Sequence, residues 1–323
     1  MALEMPAEWR LIMKKKKSYG LLIVGAVLLI AGIIFAVIAH NTSYAASVET
    51  GNTLTEVKAA IKEVEAGTKT GDLDALKAQQ SELSALKLSQ ERPYSYGLTL
   101  VFFAVLLTIK GIYNAVVGVY KEDKTDVKRL AQAGLLAALC YIGFAFFKID
   151  IPVPGSLEKT AFHFGNVFCV LAALLLGGYW GGLAGAIGMT IGDLTTSYVT
   201  SAPKTFLLKL FIGLIVGLVA HKIFKLSRDH STKYVTGVTI LSCACGMAFN
   251  VVADPLVGYF YKMYLLGVPQ DISKALAKIS TMTTGVNAVV AVVFASIFYL
   301  ALRPALRKTG LFVAVTPEIP EEK

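Results

Sequence analysis

Between Thr160 and Phe224 the chain runs through apolar helical stretches that nonetheless carry Asp193 and Lys209. A helix needs roughly 20 predominantly apolar residues to cross the hydrocarbon core of a bilayer. Ionisable groups are costly in such a segment, so those present face a protein interior or a cavity and are functional candidates. The two residues are equally far from Ser201, the middle of the short connection between their helices. An antiparallel helical pair with that symmetry sets them at one depth, close enough to meet. Two readings stand: contact with a ligand, or a structural pair that neutralises both charges.

Eight apolar runs are long enough to span, at about 20–39, 97–120, 130–147, 161–178, 181–198, 204–224, 234–256 and 281–302. With 55% hydrophobic and 16% charged residues, the chain is too apolar for a soluble domain. It reads as an all-α polytopic membrane protein. The net charge of +9 does not indicate a nucleic-acid partner. With the N-terminus taken as cytoplasmic, the inner segments hold Arg10 and Lys14 to Lys17, then Lys121, Lys124, Lys128 and Arg129. Lys222, Lys225, Arg228, Lys233, Arg303, Arg307 and Lys308 follow, and the short outer loops are poorer in Lys and Arg, as the positive-inside rule expects. Both termini are therefore expected in the cytoplasm. The first apolar run is long for a signal peptide and reads as an uncleaved anchor.

Two modules are expected. Residues 1–125 hold a span at 20–39, an extracytoplasmic insert at 40–95 and a returning span at 97–120. In the insert, Thr53 to Glu56 has a capping-box pattern, with Val57, Ile61 and Val64 at helical spacing. Gly67 and Gly71 break that helix, and a second one with Leu73, Leu76, Leu83 and Leu86 on one side ends before Pro93. Helices this short need a partner, so the insert is expected to pack as a helical hairpin, to pair with another copy or to bind another protein. Lys110, in the returning span, snorkels, pairs with a carboxylate or marks an off-centre helix. Residues 126–310 form a six-span core with both ends inside. Residues 311–323 are expected to be a disordered cytoplasmic tail.

Polar residues of the core fall at one level: His163 and Asn166; Asp193, Thr195, Thr196 and Tyr198; Lys204 and Lys209; Asn250 and Asp254; Thr283, Thr284 and Asn287. The inner halves are nearly all apolar. Buried polar groups need partners, and five helices supplying them at one level point to a pocket open to the outside, where a small polar ligand provides some of those partners. His163, Asn166, Asp193, Thr196, Lys209, Asn250, Asp254 and Asn287 are the candidate ligand-binding residues. Structural readings stand beside this one, since Asp254-Pro255 also marks a helix end. Tyr198, Tyr259, Tyr261 and Trp180 suit stacking on a ligand or interfacial belts equally.

Gly181, Gly185 and Gly188 share a helix face, and Ala133 and Ala137 form a small-xxx-small pair. Such residues allow close helix approach in lipid, within the chain or against another membrane subunit. Cys140, Cys169, Cys243 and Cys245 lack metal-ligand or redox spacing and read as apolar fillers; no metal or other cofactor is implied. The chain has no phosphate loop, no H-E-x-x-H and no G-x-S-x-G, which argues against an enzyme and against ATP hydrolysis by this chain.

The segment His163-Phe-Gly-Asn166, Leu174-Leu-Leu-Gly-Gly-Tyr-Trp-Gly-Gly-Leu-Ala-Gly185, Gly188, Gly192-Asp193-Leu-Thr, Ala202-Pro203-Lys-Thr-Phe206, Lys209 and Gly213 resembles the substrate-binding S components of energy-coupling factor (ECF) transporters. The branch it resembles most is the riboflavin and hydroxymethylpyrimidine type, over residues 128–308. The resemblance implies capture of a vitamin or precursor at the outer face of a bacterial cell membrane, in association with a transmembrane T component and two ATPases. It implies toppling in the bilayer to release substrate inside. Ala133 and Ala137 match the family's Ala-x-x-x-Ala docking motif on the first core helix. The N-terminal module departs from ordinary S components. It supports an alternative function, a membrane sensor or adapter that binds a partner through residues 40–95, although no cytoplasmic output domain is evident.

Overall fold

The computed structural model describes residues 7–117, 127–153, 159–313 and 315. The tail from Thr316, the basic linker at 118–126 and the side chains of Arg10 and Lys14 to Lys17 lie outside the described residues. The chain divides into two compact units, Met1–Lys124 and Thr125–Lys323. Six helices or continuous helical runs among the described residues are long and apolar enough to cross a membrane. The protein is an all-α polytopic membrane protein.

The first unit is one long helical hairpin. Helix α1 (Ala7–Ala39) passes through a five-residue π-helical turn, His40–Tyr44, directly into α2 (Ala45–Glu65). Helix α3 (Leu73–Val117) returns alongside both. Two expectations are corrected here. Thr53 starts no helix: it lies inside α2, its hydroxyl donating to the carbonyl of Glu49. Pro93 ends none: it lies inside α3. Local signals favoured breaks at both places, but tertiary packing holds the helix through Pro93, where Tyr94, Ser95 and Leu98 are buried. Tyr94 packs edge-on to His40 and tilted against Tyr44, with ring centroids 5.1 and 4.7 Å away. One turn on, Gly97 lets the backbone of Ala36 approach so closely that a Cβ would sit 2.8 Å from it.

The second unit contains α4 (Val127–Ala145), α5 (Gly165–Leu176), α6 (Gly178–Thr195), α7 (Ala202–Gly217), α8 (Thr232–Leu265) and α9 (Gln270–Lys308). Between α4 and α5 lies an antiparallel hairpin, β1 (Lys148–Pro152) and β2 (Lys159–His163), which the all-helical reading did not anticipate. The span expected at 161–178 is therefore shorter. Its first residues are strand, and α5 has 12 residues, roughly 18 Å at 1.5 Å per residue, against a hydrocarbon core of about 30 Å. Gly177, at φ +83°, turns the chain sharply into α6.

Helix α6 is the packing centre. A Cβ on Gly181 would lie 2.3 Å from Cα of Ala173 on α5, and one on Gly188 would lie 2.1 Å from the carbonyl oxygen of Ala137 on α4. On another side Gly182 meets α7 at the Leu210 carbonyl. The glycine face is thus filled by the chain's own helices. The same holds for the expected docking pair: Ala133 belongs to the hydrophobic core and Ala137 packs against it, so both face inward. Gly134, with nothing within 4 Å of a Cβ, and the exposed Ala138 face outward instead.

The two ends of this unit differ. At one, Arg303 donates to the carbonyls of Leu226 and Arg228, Arg307 pairs with Asp229, and Gln132 on α4 donates to Leu311. That end gathers the connection between α7 and α8 and the C-terminal end of α9. The other end gathers the β-hairpin, the α6–α7 connection and the N-terminal half of α9.

Candidate functional site

At the hairpin end all six helices of the second unit and strand β2 enclose a cavity of about 110 Å³. Seven of the eight candidate ligand-binding residues line it: His163, Asn166, Asp193, Lys209, Asn250, Asp254 and Asn287. Thr196 does not, because α6 has ended at Thr195 and the backbone there is extended. Sequence reasoning missed the contributions of Lys159 and Thr160 on β2, Lys262 near the end of α8, and Ser280 on α9. An alternation of strand residues too short to stand out hid the first two. Lys262 and Ser280 sit on helices that continue well past the apolar runs from which the spans were read.

The lining residues fall into two kinds. Some are engaged in holding the walls together. Lys204 on α7 forms an ion pair with Asp254 on α8 at 2.7 Å, and the Ser280 hydroxyl donates to the other carboxylate oxygen at 2.7 Å. Three helices are thereby joined at one carboxylate, a charge-assisted arrangement stronger than neutral bonds. Asn287 on α9 clamps β2: its Nδ2 donates to the Ala161 carbonyl at 3.0 Å, and its Oδ1 accepts from the His163 backbone N–H at 3.1 Å. Tyr198 anchors the hairpin from below, its hydroxyl 2.9 Å from Asp150 and donating within reach of the Thr160 carbonyl at 3.0 Å. Lys159 pairs with the same Asp150 at 2.5 Å.

Others are left open. Asp193 is 3% exposed, and its Oδ2 has no hydrogen-bond partner. Lys209 is 6% exposed, and its ammonium lies 3.4 Å from Asn250 Oδ1. The two charges expected to meet form no ion pair with each other among the described residues. Asn166 Oδ1, Asn250 Nδ2 and His163 Nδ1 are also buried without partners. Buried polar atoms in native proteins are overwhelmingly paired, so four such atoms around one cavity mark a place built for something that brings the partners. Phe144 closes one side, its ring edge-on to His163 at 5.0 Å and to Tyr198 at 5.5 Å. Among the described residues no group of three or more His, Cys, Asp or Glu is placed to hold a metal ion.

The family described as ECF-type riboflavin transporter, S component, matches residues 124–304, more than half the chain. The chain belongs to that family. No curated protein and no solved structure matched it significantly. As an S component it is the substrate-binding subunit of an ECF transporter and not an enzyme. Its place is the cell membrane, and the family works with a T component and ATPase subunits on a small-molecule substrate. Residues before 124 fall outside the match.

Proposed function

We propose that the cavity at the hairpin end is the substrate site of this S component, that it opens to the outer face of the membrane, and that a separate T component and two ATPases supply the energy for uptake. The observation that carries this reading is the set of buried, unpartnered polar groups on His163, Asn166, Asp193 and Asn250 around one cavity. The outer-face assignment rests on charge. Lys225, Arg228, Arg303 and Arg307 cluster at the opposite end of the unit, and basic loops stay in the cytoplasm. Riboflavin, the substrate in the family's description, is the first ligand to examine.

Purification of the full chain from a vitamin-rich culture, with mass spectrometry of the small molecules that accompany it, tests this. The expected result is a stoichiometric vitamin or precursor that is lost on Asp193→Asn and on Asn250→Ala. A chain that retains its ligand unchanged in both variants would place the substrate elsewhere.

A further inference from the structure

The cavity is elongated. Asn250, Asp254, Gly258 and Lys262 on α8 all line it, each four residues from the next, and residues so spaced share one helix face. From the first to the last is about 18 Å at 1.5 Å per residue. Ser273, Ala277, Ser280, Thr284 and Asn287 line it along α9, which returns beside α8. Its floor therefore lies at Asn250 and Asn287, and its mouth at Lys262 and the start of α9. Exposure rises in the same direction. Lys209 is 6% exposed, the Lys204 side chain 11% and the Lys159 side chain 33%, and Lys262 is half-buried.

Charge is uneven along that length. The inner part holds Lys204 and Lys209 with Asp193 and Asp254, two of each sign, and Lys204 pairs with Asp254 at 2.7 Å. The mouth is lined by Lys159 and Lys262. The carboxylate beside Lys159 is Asp150, at 2.5 Å, and Lys148 reaches the same group at 3.6 Å. Two ammonium groups thus share one counter-charge, and with Lys262 the mouth has three lysines to one aspartate. Asp271 and Lys274, exposed near the start of α9, offset each other. The inner charges are matched and the mouth is positive.

We propose that the ligand of this cavity carries an anionic group, a carboxylate or a phosphate ester, held at the mouth by Lys159 and Lys262 while its uncharged body occupies the inner length. This rests on the cavity being the substrate site. An anion at the mouth gains charge-assisted hydrogen bonds from ammonium groups, and low-dielectric walls focus their field on it. The same charge further in would upset the matched inner set, and burying an unmatched charge is costly. A cationic end at the mouth would meet like charge.

Riboflavin and riboflavin 5′-phosphate differ only by the phosphate at the end of the side chain, so the pair isolates that charge. Equilibrium binding of both is measured on the full chain at low and high salt, and on Lys262→Gln and Lys159→Gln. The expected result is 5′-phosphate binding about tenfold or more tighter than riboflavin on the unaltered chain at low salt, the scale of a hydrogen bond to a charged group. That ratio should shrink towards one in Lys262→Gln, and at high salt, which screens exposed charges. The comparison of two ligands on the unaltered chain stands even if a variant fails to fold. Equal affinity, or tighter riboflavin, overturns the anionic group while leaving the substrate-site reading intact. A ratio unchanged in both variants overturns the role of the mouth lysines. If neither flavin binds but another small molecule accompanies the protein, one with an acidic group supports the proposal and one without overturns it. A chain that binds no flavin and carries no small molecule overturns the substrate-site reading, and this proposal with it.

Discussion

Two asparagines of the cavity illustrate how residues of one type take different roles. Asn287 has spent its amide on strand β2; Asn250 keeps its Nδ2 free. Asn287→Ala is therefore expected to release the strand. Hydrogen exchange at Ala161 and His163 should accelerate, and ligand affinity should fall through loss of wall geometry. A variant with unchanged exchange at those amides would show that the strand is held by other means. The Lys204–Asp254 pair is structural in the same sense. Lys204→Met leaves the Asp254 carboxylate buried without its counter-charge, which costs about 3–5 kcal/mol in such sites. Thermal unfolding should show a large drop for Lys204→Met, and the double variant Lys204→Met, Asp254→Asn should recover part of it. Glycines on α6 behave as spacers. Gly181→Ala drives a Cβ into the α5 backbone and is expected to cost about 1–3 kcal/mol as overpacking. Gly134→Ala, with open space around it, should be neutral or slightly stabilising because alanine favours the helix.

At the scale of elements, the β-hairpin is the part of the site most sensitive to its surroundings. It sits outside the spanning helices and is fastened by the Asp150 carboxylate to Lys159 and Tyr198. Partial burial raises the Asp150 carboxyl, but the hydrogen bonds from Lys159 and Tyr198 and the charge of Lys148 outweigh it, and its pKa lies below the ordinary 3.8. A carboxyl with a lowered value in the folded state stabilises the fold above the ordinary pKa, and that contribution is lost as pH falls through the folded value. The fastening should therefore hold at neutral pH and fail only in strong acid. Protection factors for the amides of residues 148–151, corrected for intrinsic exchange, are expected to be flat down to about pH 4 and to drop below that. In Asp150→Asn they should start lower and show no such step. A step of the same size in that variant would assign the acid response to another group. Helix α6 is the other governing element, since one glycine-rich rod lets α4, α5 and α7 approach it from different sides and so brings their polar residues to a single cavity.

At the scale of the molecule, orientation is the first thing to establish. Cysteine placed at Lys159 should be labelled by an impermeant thiol reagent from the outer side of intact cells and be protected by substrate. Cysteine placed at Asp229 should be labelled only after the membrane is opened. The four native cysteines give a low background, three being buried and the fourth half-buried. The reverse pattern would turn the cavity to the cytoplasm and contradict an uptake role. The long N-terminal hairpin is a compact unit of its own. Its surface carries apolar side chains along α1, among them Ile23, Val27, Ile30 and Ile34, as a lipid-facing helix would.

The sequence by itself determined the class of protein, an all-α polytopic membrane protein. Twenty-residue apolar runs and sparse buried charges leave a chain few alternatives to membrane helices. The block from His163 to Gly213 carries the resemblance to the family that matches residues 124–304. What the sequence could not decide was which polar groups are used up and which remain open. Asp193 and Lys209 share a cavity by helical arithmetic, yet Lys209 turns to Asn250 and Asp254 is taken by Lys204 and Ser280. Pairing depends on side-chain distances across helices that are remote in the chain, and depth along a helix does not specify them. The same reason explains the continuous α3 through Pro93 and the inward-facing Ala133 and Ala137. Local propensity is worth a fraction of a kcal/mol to a few kcal/mol per residue, and packing against a neighbouring helix outweighs it.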